Sequence, residues 1–341
     1  MTPFNTRRWR VKQRSLFHAV ERQAFGASTC FLCGRRLGSK NRSDEHIFPK
    51  WLQQRFALWN EQLTLLNGTT IPYRQLTIPC CDQCNTVHLA AIERDVEIAV
   101  GAGVEAVRAL PRETLFYWLG KIFYGLLYKE GLLQRHRARP RSAKIVPKSV
   151  LKSYAAHHLH LQGIRLPMMF RDFFPASILV VPCQVPRSLE DQFDFRDLSP
   201  ALAVAIRMGK VGILAALQDC GAQAFGAAAH FTALEKLHHH PVQFIESTAT
   251  LFYQAGLLQR TPKFLTTEGN TTAEVVHLPG LSTRPLYREW EALEFAHLLA
   301  FHTGKALEEV FRPPSVILSC IRGPAGEYRH WQLVEDSESS D

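Results

Sequence analysis

The sequence predicts an α+β protein in two unequal parts, and three features lead to that prediction. Two pairs of cysteines, Cys30-x-x-Cys33 and Cys81-x-x-Cys84, bracket a polar, turn-rich stretch. The run LFYWLGKIFYGLLY, Leu115 to Tyr128, is apolar on nearly every side of a helix. Beyond it, segments rich in Val, Ile, Leu and Ala have strand length and are separated by turns. With 341 residues, 46% of them hydrophobic, the chain can bury a large core.

Residues 1–27 are expected to be a basic arm, helical over 5–25 with Leu16, Phe17, Val20 and Phe25 as a partial apolar stripe, ending at Gly26. A loop-like stretch from Cys30 to Ser43 follows, then a short element at Ile47 and an amphipathic segment from Trp51 to Trp59. Asn67-Gly68 marks a turn between short strands or loops at Thr64–Leu66 and Thr70–Ile78. A helix from Thr86 is broken by Gly101 and Gly103, which closes a first unit over 28–103. The second domain, 104–334, is a mixed helical and β unit of no recognised type. It opens with a helix after Pro111, a residue suited to a first helical turn, and this helix should be the core. A basic loop, QRHRARPRSAK, comes next. Strands are expected at Ser177–Val181, Ala201–Arg207 and Val211–Leu217, the last two joined as a hairpin around Met208–Lys210. Helices are expected at Val242–Leu258 and Tyr287–Phe311, then a late strand at VILSCI. The acidic tail, 335–341, should be disordered.

No stretch of about 18 apolar residues lacks a charge, and no apolar segment backs the basic start, so a soluble, cytoplasmic protein is expected. Residues 1–60 hold twelve Lys or Arg against three acidic residues, while the remainder balances. Charge concentrated this way suits a polyanionic partner, with nucleic acid the leading candidate and a merely solvated arm the alternative. Arg7, Arg8, Arg10, Lys12, Arg14 and Lys50 are the candidate phosphate contacts.

Four cysteines in two C-x-x-C pairs are the complement of a closed tetrahedral zinc site, which can contribute about 10–16 kcal/mol to folding. Cys80 is left as a buried or spare thiol, and Cys183, Cys220 and Cys320 as core residues. Between the knuckles lies Ser43-Asp44-Glu45-His46-Ile47-Phe48-Pro49-Lys50-Trp51. C-x-x-C, then E-H-I-x-P, then C-x-x-C-N resembles the zinc-bearing branch of the HNH endonucleases, with their ββα-metal fold, over about residues 28–98.

That resemblance implies a metal-dependent hydrolysis of phosphodiester bonds, double-stranded DNA being the expected substrate. A histidine near its ordinary pKa is suited to deprotonate water, which makes His46 the candidate general base. By the same resemblance, Glu45 and Asn85 would share a catalytic Mg²⁺ or Mn²⁺, with Asp44 and His88 as further candidates, and zinc would be structural. Asn85 stands where many members carry His, and the residue that orients His46 has no clean match, Gln75, Thr77 and Asn67 lying nearest. A homodimer or a partner protein bound through the second domain, and a role in bacterial defence, are expectations by analogy. The alternatives are a non-catalytic zinc-ribbon nucleic-acid-binding protein and an interaction protein folded by zinc. The His157, His158, His160 and His238–His240 groups read as an ordinary amphipathic helix and a polar loop. Glu93 and Glu97 read as a solvated helix face, with Glu93 alternatively supporting the metal site. The basic loop with Arg135, Arg137, Arg139, Arg141 and Lys144 is a possible phosphate track.

Overall fold

The structure, a computed structural model, describes residues 15–333 except 20, 23, 24, 137, 140, 141, 261, 270, 281 and 282. The candidate contacts Arg7, Arg8, Arg10, Lys12 and Arg14, with Arg137, Arg141 and the acidic tail, therefore lie outside the described residues.

The first unit consists of β1 (Arg42–His46), α1 (Lys50–Arg55), β2 (Gln62–Thr64), β3 (Thr70–Pro72), β4 (Thr77–Cys81), α2 (Ala90–Ala102) and α3 (Val104–Arg108). β2 and β3 form the hairpin announced by Asn67-Gly68. Gly68 supplies the positive φ of 78° there, and Asn67 Oδ1 accepts from the Thr69 N–H. β1 pairs antiparallel with β4, Arg42 opposite Cys81 and His46 opposite Thr77. α2 runs through Gly101 and stops at Gly103, whose φ of 118° suits glycine.

α4 (Arg112–Leu132) is buried around its circumference, as its apolar sequence requires, and belongs to the largest of the buried clusters. Two glycines let neighbours approach closely. Gly120 meets His157 and Leu161, and Gly125 meets Ile47 and Ile78 of the first unit. Then follow α5 (Lys148–Ser153), α6 (Ala155–His160), β5 (Met168–Arg171), β6 (Ser177–Pro182), β7 (Phe193–Leu198), β8 (Ala203–Met208) and β9 (Val211–Ala216). An antiparallel sheet has the order β6-β9-β8-β7, its β8-β9 turn made by Gly209. Three helices, α7 (Ala222–Gly226), α8 (Ala228–Lys236) and α9 (Pro241–Gly256), precede β10 (Lys263–Glu268), β11 (Ala273–Leu278) and α10 (Ala292–Thr303). β10, β11 and β5 form a second sheet in which β11 runs parallel to β5. The architecture is thus mixed α+β, as expected. One buried core runs from Cys30 to Leu217 without a break at the expected boundary of 103 and 104. No helix among the described residues is long and apolar enough to cross a membrane.

Several expectations need correction. The described part of the arm is not helical. Its Leu16 and Phe17 N–H groups bond Glu268 and Gln162 side chains, so distant partners replace helical ones. The helix expected over Tyr287–Phe311 is confined to α10 and one short turn, because Gly304 takes a left-handed conformation after Thr303. Of VILSCI only Val316–Ile317 pairs as a strand. The histidines of α6 face no solvent: His157, His158 and His160 are 0%, 2% and 0% exposed. His157 reaches the Gly120 carbonyl and His158 the Phe31 carbonyl, while His160 sits among Phe116, Phe170 and Phe264 with no partner for either ring nitrogen. His239 is likewise buried, bonded to Leu237 O and Ser247 Oγ, and His240 caps α9.

Burial pushes His157 and His158 down to about 4 and His160 to about 3. With folded values below the unfolded value of 6.5, the unfolded state binds more protons as pH falls, so stability is full above 6.5 and is lost toward 4. Each histidine should cost of order 2 kcal/mol of stability by about pH 4.5. Urea unfolding across that range should show the loss, and His160→Phe should make it shallower.

Candidate metal centre and active site

The knuckle at Cys30 is a tight turn docked on β4. The Gly34 N–H bonds the Cys30 carbonyl at 2.9 Å, Cys30 N–H bonds Arg35 O at 2.9 Å, and Phe31 N–H bonds Pro79 O at 2.9 Å. Gly34 has φ 71°, and a β-carbon there would strike the Phe17 ring, so both backbone and packing require glycine. The second knuckle joins the end of β4 to a π-helical turn, Cys84–Leu89, that leads into α2.

These turns bring Cys30, Cys33, Cys81 and Cys84 together, every sulfur within 4.8 Å of the others. Zinc bound to thiolates at about 2.3 Å separates its sulfurs by roughly 3.8 Å, so the four fit a tetrahedral ion. Among the described residues this is the one group of three or more His, Cys, Asp or Glu that could hold a metal. Cys80 is fully buried with its sulfur 3.8 Å from that of Cys30, making it a fifth thiol beside the cluster. Mutual hydrogen bonds, that from Cys33 first, hold the Cys30 thiol well below its ordinary value.

β1 distributes the remaining candidates by strand alternation. Asp44 is exposed and ion-paired to Arg42 at 3.2 Å, while His46 is half-buried on the same side. Burial, then the cations Lys50 and Lys121, push the His46 imidazole below its ordinary value, so it is neutral near pH 7. Its ring stacks with that of Trp59, 6.2 Å away and 41% exposed. Lys50 is exposed at the start of α1, and Arg74 bonds Trp59 O and Asn60. The outer rim of His46 thus carries bases and an aromatic face. Gln75 is exposed, and Asn67 bonds Thr69 and Arg135 O. Thr77 is its register partner.

Asn85 donates its amide nitrogen to Ser43 Oγ at 2.8 Å and to Asp44 O at 3.3 Å, which joins the start of the helix to β1. His88 is half-buried on the same π turn. Glu45 behaves differently. It is 3% exposed, and its Oε1 lies 2.6 Å from Lys121 Nζ of α4. Lys121, itself 1% exposed, also donates to Glu93 Oε1 at 2.7 Å, His46 O at 2.8 Å and Ile47 O at 3.1 Å. Burial pushes the Glu45 carboxyl up, to about 7, against the pull of Lys121. Burial alone would lower Lys121, but the two carboxylates outweigh it and hold it above its ordinary value. The expected ion ligand Glu45 is therefore engaged by an ammonium, and Glu93 is its companion rather than a solvated residue. A lone Lys in an apolar helix was the sequence signal for this group.

Zinc analysis of purified variants should separate the five thiols. Cys84→Ser is expected to lose the ion and cooperative unfolding, whereas Cys80→Ala should retain one zinc per chain.

In comparisons with known proteins, no family model, no curated protein and no solved structure matches the chain.

Proposed function

We propose that the protein is a zinc-stapled ββα nuclease in which His46 is the general base for hydrolysis of DNA phosphodiester bonds. The observation that carries this reading is the placement of His46. It ends a strand paired to the zinc-knuckle strand, is kept neutral, and sits on a rim with Lys50 and the exposed Trp59.

A neutral imidazole at that position accepts a proton from water, the water oxygen forms the new bond to phosphorus, and the bond to the 3′ oxygen breaks, that oxygen taking a proton from solvent to leave as a hydroxyl. Lys50 would hold the phosphate by charge, and Trp59 offers a face for a base or sugar. With Glu45 engaged inside, Asp44 and the Asn85 amide oxygen are the outer oxygen ligands for a Mg²⁺ or Mn²⁺ ion. Such an ion, when bound, neutralises charge on the phosphate. Because the four thiols fill a tetrahedral shell, zinc there has no open position and is structural. The basic stretch Arg7–Arg14 would extend the contact along the backbone.

One observation favours a second reading, a zinc module that binds nucleic acid without cutting it: the carboxylate next to His46 is already neutralised from within. Incubation of wild type and His46→Ala with supercoiled plasmid in Mg²⁺, Mn²⁺ or EDTA separates the two. The nuclease reading expects metal-dependent nicking that falls at least about 100-fold in the mutant with DNA affinity retained. Equal behaviour of both proteins, with salt-dependent binding and no nicked product, would establish the binding module instead.

A further inference from the structure

We propose that the ammonium of Lys121 is the resident cation of a four-oxygen site, and that it keeps divalent ions away from Glu45 and Glu93. Four oxygens surround one nitrogen at 2.6 to 3.1 Å: Glu45 Oε1, Glu93 Oε1, His46 O and Ile47 O. An ammonium has three protons to share among these four acceptors. Glu45 Oε1, at 2.6 Å, is the nearest of them. Two carboxylates and two carbonyls converging on one point form the donor set of a hard cation, and an excess of acceptors over protons suits a spherical charge better than a three-pronged donor. The radius is too large for Mg²⁺, which prefers about 2.0–2.1 Å, and nearer that of Ca²⁺ at about 2.3–2.6 Å.

Lys121 reaches this point from the middle of α4, with Gly120 and Gly125 packed tightly on either side. Withdrawing the ammonium would leave it buried without these oxygens, which holds it against the carbonyls of His46 and Ile47.

The inference concerns the nuclease site proposed above and says where its ion is not, but its test reads no cleavage. Zinc-loaded full-length protein is titrated calorimetrically with Ca²⁺ and with Mg²⁺, and thermal unfolding is followed with and without each ion. Wild type is expected to take up no ion that Glu93→Gln removes, and to show an unchanged midpoint. Lys121→Ala leaves the buried Glu45 and the part-buried Glu93 without their cation and should lower the midpoint by about 10 °C. Millimolar Ca²⁺ should restore most of that loss, and adding Glu93→Gln should abolish the rescue.

Uptake by wild type at a site lost in Glu93→Gln would overturn the inference, since an ion would then displace the lysine. Indifference of folded Lys121→Ala to both ions would overturn it as well. If Lys121→Ala folds only when Ca²⁺ is present, that supports the inference; if it folds under neither condition, the wild-type titration alone decides. A wild type that nicks no plasmid would sink the nuclease reading and leave this one standing.

Discussion

A full charge buried on the central helix is the constraint around which this molecule is organised. Lys121 can remain ionised inside α4 only if oxygen surrounds it, and the oxygens come from two separate pieces of chain, Glu45 to Ile47 and Glu93 of α2. β1 must end where its last carbonyl meets the ammonium, α2 must present Glu93, and the turn after His46 must expose the Ile47 carbonyl. The same helix grips the first unit further along, through Lys129 to Thr77 O, Glu130 to the Leu66 N–H and Tyr128 to Gly26. The unit with the four clustered cysteines shares one core with the helices and strands that follow it.

The strand β1 divides labour between its two faces. Ser43 and Glu45 point inward, to Asn85 and Lys121, and bind the strand to two helices. Asp44 and His46 point outward and meet solvent. The four thiols that could hold a metal lie at the Arg42–Cys81 end of the ladder and His46 at the other. About four residues of strand, roughly 13 Å, separate Arg42 from His46.

Local signals made parts of this arrangement legible in the sequence. The C-x-x-C pairs named the four thiols that converge, Asn67-Gly68 named its hairpin, and Pro111 with an all-round apolar run named the central helix. What escaped depends on contacts remote in sequence. Lys121 bonds a carbonyl 75 residues away, and nothing in LGKIF tells which carboxylates it meets. β7 and β10, FDFRDL and KFLTTE, mix charges and threonines with apolar residues and give no apolar run of the kind that marked β6, β8 and β9. The α6 histidines looked solvent-facing because imidazole is polar, yet α4, β5 and β10 enclose them with aromatic rings.

The π-helical turn at Cys84–Leu89 sets the phase of everything after it. A π turn holds one more residue than an α turn, and each residue of an α-helix turns the chain by about 100°. Cys84 faces the sulfur cluster while Glu93, on the same helix, faces Lys121, and the wider turn reconciles the two directions. Loss of a single residue between Asn85 and Leu89 would let the turn relax to regular α geometry without breaking the helix. It would also rotate Glu93 by about a quarter of a turn away from the ammonium, unlocking a buried charge by a shift in angular register alone.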